Sequence, residues 1–275
     1  MPITALESQR IAYPSPVRTP LLREGALWLK PEGSQLGGSV KYRMVVAKVK
    51  AAREAGAVAS RILTEVTSGS TGVALAYLGR RLGLPTEVHA YDATAPDKVR
   101  KIREYGAHLI LYPNDTPIGE MFSAVGRAVA AGTHWHLNQY DRRTTPPAYA
   151  DFAGEIVEQI RALGGPLPAL FACPVGTGGL IQGVGRALRE AFPGIGVVAV
   201  EPEPGASIDG MRNTEKMHMG EKDPYDLRFP DERVTVPASR GPASVAGFQL
   251  GESATAVVEW VRSVGRSDVL VVAPD

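Results

Sequence analysis

From about residue 60 the chain alternates short β-branched, apolar runs with stretches whose apolar positions recur at helical spacing. Arg61–Val66, Thr86–Tyr91, His108–Tyr112, Thr133–Leu137, Ala169–Pro174, Gly196–Val200 and Val269–Val272 read as strands. Between them, Val73–Leu82, a segment from Pro96 to Gly106, Ile118–Ala131, Ala148–Leu163, Leu180–Ala191 and Ala254–Val264 read as helices. The punctuation agrees. Gly83 and Gly132 follow helical runs, and Pro96 opens one with Asp97 near the positive end of its dipole. Strand–helix alternation across short turns predicts an α/β fold with parallel or mostly parallel sheets flanked by helices, and there are enough strands for two sheets. A seam is expected near Thr144-Thr145-Pro146-Pro147. Asp209–Arg233 breaks the alternation: it is polar, rich in Met, Asp and Lys, and carries Pro224 and Pro230. A connection of that length reads equally well as a functional segment or as an exposed excursion.

Composition narrows the classes. The 275 residues suffice for a sizeable core, and a net charge of +1 gives no electrostatic case for nucleic acid or an acidic partner. Cys173 is the single cysteine, which rules out an intramolecular disulfide and fits a reducing compartment. It lies in an apolar strand and is expected to be buried and inert. No apolar run approaches the roughly 18 residues of a membrane span. Met1-Pro2-Ile3-Thr4 lacks the charged and apolar regions of a signal peptide. The expectation is a soluble, cytoplasmic protein with no membrane or nucleic-acid partner. His134 and His136 share one face of a strand, a spacing that can hold metal. No third ligand is evident, and no metal site is predicted.

Three glycine-rich turns carry the candidate chemistry. In Gly37-Gly38-Ser39-Val40-Lys41-Tyr42-Arg43, a lysine stands at a helix start, the setting of a Schiff-base nucleophile. Such an amine works at neutral pH when desolvation or a neighbouring cation, here Arg43, lowers its pKa. Gly176-Thr177-Gly178-Gly179 follows one strand and opens one helix, so backbone N–H groups and the helix dipole converge on a phosphate-sized site. It also reads as a tight packing turn; as a dinucleotide fingerprint it lacks the G-x-G-x-x-G spacing. Thr67-Ser68-Gly69-Ser70-Thr71-Gly72 has the same strand-to-helix context, with hydroxyls suited to a carboxylate or to capping a helix. A phosphate cradle, a carboxylate cradle and an activated lysine together suggest pyridoxal phosphate acting on an amino acid.

The same stretches resemble the cysteine synthase / cystathionine β-synthase family of fold-type II (tryptophan synthase β-like) pyridoxal-phosphate enzymes. In order along the chain, Thr19-Pro20-Leu21 resembles T-P-L and Gln35–Arg43 resembles N-P-G-G-S-V-K-D-R. Glu65–Gly72 resembles E-P-T-S-G-N-T-G, Asn138-Gln139-Tyr140 the Q-F/Y segment, and Gly154-Glu155-Ile156 the G-E-I segment. Gly176–Gly179 resembles G-T-G-G, and Leu250–Ala256 is similar to G-I-S-S-G-A-A.

The resemblance implies two domains with the cofactor in the cleft between them: a smaller α/β domain over 35–146, and a larger, phosphate-binding one over 1–34 and 147–275. It implies Lys41 as the Schiff-base lysine and Gly176, Thr177, Gly178 and Gly179 as phosphate ligands. Ser70 would stand near the cofactor's 3′-oxygen, and Ser253 opposite the pyridine nitrogen. Thr67, Ser68, Thr71 and Gln139 would hold the substrate carboxylate. The implied reaction is β-replacement on an activated L-serine (O-acetyl- or O-phosphoserine, or serine) through an aminoacrylate, giving cysteine or a related β-substituted alanine. Ser253, a weak acid, would leave the ring nitrogen largely unprotonated. A homodimer and a sulfur or other nucleophile are implied as partners. Ser70 in place of Asn, Tyr42 in place of Asp and Leu180 in place of Thr depart from the pattern. The altered Ser70 and the 209–233 segment keep β-elimination (a serine dehydratase or cysteine desulfhydrase) open; an inactive scaffold subunit is a further alternative.

Overall fold

The computed structural model describes residues 13–215, 225–238, 241 and 243–275. The first four residues, read above for a leader, and the middle of the Asp209–Arg233 segment lie outside them. The chain forms two compact units. One holds Val45–Asn138 with the described residues up to Val17; the other holds Arg18–Met44 and Gln139–Asp275. The unit boundaries therefore fall after Val17, Met44 and Asn138.

The smaller unit is a four-stranded parallel sheet in the order β5-β4-β3-β6, from β3 (Ile62–Val66), β4 (Thr86–Tyr91), β5 (His108–Tyr112) and β6 (His134–His136). Helix α1 (Lys41–Glu54) enters it, and α2 (Ser70–Leu82), α3 (Pro96–Glu104) and α4 (Ile118–Ala130) connect its strands. Val73, Ala76, Val88 and Ile102 close one apolar layer, while Val66, Met121 and Val125 close another. Helices thus cover both faces, as a parallel sheet requires.

The larger unit carries a six-stranded sheet in the order β1-β2-β12-β7-β8-β9. Its strands are β1 (Leu22–Glu24), β2 (Leu27–Pro31), β7 (Leu170–Pro174), β8 (Gly196–Pro202), β9 (Glu232–Val236) and β12 (Val269–Ala273). Only the β1–β2 hairpin is antiparallel; every other pair in that sheet is parallel. A separate small hairpin joins β10 (Ser244–Val245) to β11 (Phe248–Gln249). Helices α5 (Ala150–Leu163), α6 (Gly179–Ala191) and α7 (Glu252–Ser263) complete the unit. Leu29, Ala172, Val198, Val200, Val257 and Val271 are each at most 1% exposed and form its core. The alternation read from sequence recurs with ends shifted by one to three residues. The pattern did not mark β1, β2 and β9–β11. They are short, or, like the fully buried Leu27–Pro31, lack alternation.

Candidate active site

The 176–179 turn sits at the carboxyl end of β7, a central strand of the larger sheet. Gly178 takes φ +82°, a left-handed conformation in which a side chain would also strike the Tyr225 ring. A Cβ on Gly176 would stand 2.7 Å from the carbonyl oxygen of Gly210. Among the described residues, the N–H groups of Gly176, Thr177 and Gly178 have no protein acceptor. Helix α6 starts at Gly179, so its first-turn amides and dipole add to the same site.

Side chains from later in the chain brace this turn. Arg212 donates its backbone N–H to Val175 O (2.8 Å) and its Nε to Gly176 O (2.5 Å). Gln182 holds Gly178 O through Nε2 (3.3 Å) and accepts the Asp226 N–H at Oε1 (3.2 Å). Thr214 and Arg233 both bond Glu201, at the end of β8. Sequence reasoning left the 209–233 segment open between a functional segment and an exposed excursion. Its described ends prove to be packed walls of the turn, and Arg212 is 7% exposed. The only sequence signal was the break in strand–helix alternation.

Lys41 lines the same recess as Gly176, Thr177, Gly178, Gly210 and Pro274. It opens α1, after Val40 has donated its N–H to Pro274 O (2.7 Å) and Lys41 its own to Ser39 Oγ (3.4 Å). Lys41 is thereby tied to the end of β12. Arg43, the neighbouring cation that the sequence suggested, is engaged by two carboxylates. Its Nε meets Glu32 Oε2 at 2.6 Å and its Nη1 meets Glu155 Oε2 at 2.9 Å. Lys30 joins them, 2.5 Å from Glu155, and Thr19 donates to Glu32 (2.6 Å). Two cations thus meet two carboxylates under the first turn of α1. Burial pulls Lys30 below the ordinary lysine range in spite of Glu155. Burial also works against Arg43, but the Glu32 and Glu155 carboxylates together outweigh it and raise the guanidinium.

Ser253 lies in the first turn of α7, 2% exposed, and its Oγ is 3.3 Å from Asp275 Oδ1. Asp275 follows Pro274, which lines the Lys41 recess; Ser253 itself is not among the residues lining it. Gln139 is buried in the larger unit. Thr67, Ser68, Ser70 and Thr71 belong to the smaller unit, at the junction of β3 and α2. There the Gly69 N–H donates to Thr67 Oγ1 (3.0 Å), which leaves the Thr67 hydroxyl proton for another acceptor. Thr71 is buried and Ser68 exposed. Cys173, just before the turn, is fully buried; burial pushes its thiol up against the smaller opposing pull of Lys41. His134 and His136 are not brought to a third ligand: among the described residues no group of His, Cys, Asp and Glu is arranged to hold a metal ion.

The recess suits a phosphorylated aldehyde. Its phosphate end consists of amides without side chains in the way, and an amine lines the same space. Comparison with known proteins agrees. The model of the family described as pyridoxal-phosphate dependent enzyme matches residues 12–272. Cysteine synthase B of Escherichia coli K12 is 32% identical over 188 residues, which is 68% of this chain and 61% of that protein. The probable cysteine synthase of Bacillus subtilis 168 is 28% identical over 279 residues, 92% and 89% of the two chains. The crystal structure of O-ureido-L-serine synthase superposes with a TM-score of 0.80 at 27% identity, covering 94% of this chain and 89% of that one. Among the described residues no helix is long and apolar enough to cross a membrane. With sheet, turn and lysine in place and the match running nearly end to end, the chain belongs to the pyridoxal-phosphate dependent enzyme family, and its fold is that of the fold-type II members related to cysteine synthase.

Proposed function

We propose that the protein catalyses β-replacement on an activated L-serine, forming cysteine or a related β-substituted alanine. The observation that carries this reading is the shared recess of Lys41 and the Gly176–Gly178 amides. The amides and the α6 dipole would hold the cofactor phosphate, placing its aldehyde at the Lys41 amine. When bound, pyridoxal phosphate withdraws electrons from the substrate's α-carbon and so lowers the barrier to losing its proton. Lys41 is the base that takes this proton. The β-carbon–oxygen bond then breaks, and the leaving group (acetate, in O-acetyl-L-serine) departs with the electron pair. A thiol or sulfide forms the new β-bond, and Lys41 returns the proton to the α-carbon. In the smaller unit, the hydroxyls of Thr67, Ser68 and Thr71 stand at the start of α2, where donors and dipole suit the substrate carboxylate. Gln139 adds an amide donor, and Ser70 a hydroxyl, to the same proposed set. The names of the relatives support the class: they are cysteine synthases and an O-ureido-L-serine synthase, all consistent with β-substituted alanines as products.

The test is an absorbance titration of the holoenzyme with O-acetyl-L-serine, alongside Lys41→Ala. The expected result is a visible cofactor band that shifts on adding the amino acid, is restored by sulfide with release of cysteine, and is absent from the variant. A band that shifts while pyruvate accumulates, with or without sulfide, would replace β-replacement by elimination. A band indifferent to every serine derivative would overturn both readings.

A further inference from the structure

Arg212 donates to two consecutive peptide groups at the 176–179 turn. Its N–H bonds Val175 O (2.8 Å), and its Nε bonds Gly176 O (2.5 Å). A trans peptide carries its C=O and its N–H on opposite edges of one plane. The far edge of the first peptide is the Gly176 N–H, and that of the second is the Thr177 N–H. Neither has a protein acceptor among the described residues, and Gly176 and Thr177 both line the Lys41 recess. Arg212 thus stands behind the two amides that the turn leaves for a ligand.

The two bonds differ in kind. The one to Val175 runs between neutral backbone groups. The one to Gly176 comes from a guanidinium, and charge-assisted hydrogen bonds are roughly twice as strong as neutral ones. Linked hydrogen bonds polarise one another, and they act most strongly where the dielectric is low. Arg212 is 7% exposed, so water screens its charge little. The residues that follow it are fixed on the end of β8. Asn213 Nδ2 donates to Pro202 O (2.9 Å) and the Thr214 N–H to Glu201 Oε2 (2.9 Å). The Glu201 charge is met there by Arg233 (3.3 Å). Farther along the turn the pattern changes. Gly178 O takes the backbone N–H (3.2 Å) and the side-chain amide (3.3 Å) of Gln182, both neutral. Its peptide partner, the Gly179 N–H, is spent internally on Thr177 Oγ1 (3.4 Å). The charged donor therefore falls on a peptide whose N–H is open, and neutral donors fall on one whose N–H is not. Leu180, which also lines the recess, brings no side-chain donor to it.

We propose that Arg212 is a positioning residue for the cofactor phosphate: its guanidinium polarises the Gly176–Thr177 peptide, so that the Thr177 N–H binds a phosphate dianion more tightly than an unpolarised amide would. This rests on the proposed placement of the phosphate on the 176–178 amides. The charge acts through a peptide group. The phosphate end of the recess thereby gains positive potential without a second cationic side chain that could draw the substrate carboxylate away from its own site.

The test is equilibrium dialysis of apoenzyme against pyridoxal phosphate and, separately, against unphosphorylated pyridoxal. Wild type is compared with Arg212→Gln and Arg212→Met. A glutamine amide nitrogen stands at the same number of bonds from the backbone as arginine Nε, so Arg212→Gln keeps a donor to Gly176 O and loses the charge. Arg212→Met loses both, and the backbone bond to Val175 remains in each. The apoenzyme thermal midpoint confirms that each variant folds; if Arg212→Met does not, Arg212→Gln alone decides. In Arg212→Gln the Kd for pyridoxal phosphate should rise about 5- to 10-fold while that for pyridoxal stays within about twofold, and Arg212→Met should weaken pyridoxal phosphate further. An Arg212→Gln affinity for pyridoxal phosphate equal to that of wild type overturns the proposal, because a neutral brace then suffices. So does a loss of the same factor for pyridoxal and pyridoxal phosphate. Failure of the functional reading shows elsewhere, as a holoenzyme whose visible band ignores serine derivatives, whatever the two Kd values.

Discussion

Replacing Gly176 by alanine tests whether the phosphate turn is as tightly constrained as its geometry indicates. The new methyl would lie 2.7 Å from the carbonyl oxygen of Gly210, a backbone atom and not the end of a flexible side chain. Relief needs a separation of about 3.3 Å, so one segment must retreat by more than about half an ångström. Neither is free to do so. Arg212 ties the Gly210 side to Val175 O at 2.8 Å and to Gly176 O at 2.5 Å, and Met211 N–H is bonded to Ile208 O at 3.1 Å. Overpacking of this kind costs about 1–3 kcal/mol. Because the amides of Gly176–Gly178 are the groups proposed to hold phosphate, that cost should appear in cofactor affinity, as a rise in Kd of about 5- to 150-fold. Equilibrium dialysis of pyridoxal phosphate against apoenzyme measures Kd directly, and the thermal midpoint of the apoenzyme reports how much of the cost falls on folding. A Kd within twofold of wild type, with the apoenzyme midpoint unchanged, would refute the reasoning: the Gly210 wall would then be yielding.

Three further outcomes are expected. Arg43→Met leaves Glu32 and Glu155 facing Lys30 alone in a site where Glu32 is fully buried, so it should cost about 3–5 kcal/mol in urea unfolding. Adding Glu32→Gln should recover part of that loss, and a single-variant loss below about 1 kcal/mol would contradict it. His89 donates from Nε2 to Glu87 (3.0 Å) and accepts the Tyr112 hydroxyl at Nδ1 (2.9 Å). Burial pulls its pKa down despite Glu87, so it is neutral when folded. As pH falls below about 6.5 the unfolded chain takes up the proton first, and stability is lost. His89→Gln should flatten the slope of unfolding free energy below that pH, and an NMR titration midpoint at or above the ordinary histidine value would count against this. Burial raises the Cys173 thiol, which should therefore resist a disulfide reagent until the chain unfolds; rapid labelling of the native protein would disprove that.

The parts legible in the sequence are those fixed by local chemistry. Gly176-Thr177-Gly178-Gly179 and Thr67–Gly72 announce themselves because a strand-to-helix turn needs glycine and hydroxyl residues within a few positions of one another. The walls behind the first turn are different. Gly210, Arg212 and Asp226 reach it from dozens of residues away, Asp226 by way of Gln182, and nothing in their own neighbourhoods says so. Strand β2 hid for a related reason. Its Lys30 looks like a surface residue, and only Glu155, Gln159 and the Thr19 carbonyl, brought by α5 and the segment before β1, make its burial tolerable.

Arg43 shows where local reasoning could have gone further. Once Lys41 and Arg43 are placed on one helix, their separation of two positions puts them on different faces, since only residues three or four apart are neighbours on a helix surface. The cation that a linear reading sets beside the nucleophile had to turn away from it. The structure supplies what it turns towards: Glu32 and Glu155, which anchor the first turn of α1 from below. Lys41 is then positioned from two sides, by that buried ion network and by the Val40–Pro274 bond to the end of β12. The same strand end carries Asp275 to Ser253. The chain just past β12 thus touches both the turn before Lys41 and the first turn of α7. Substitutions in Ala273-Pro274-Asp275 should therefore disturb both turns at once, whereas changes at Gly176 act on the 176–179 turn alone.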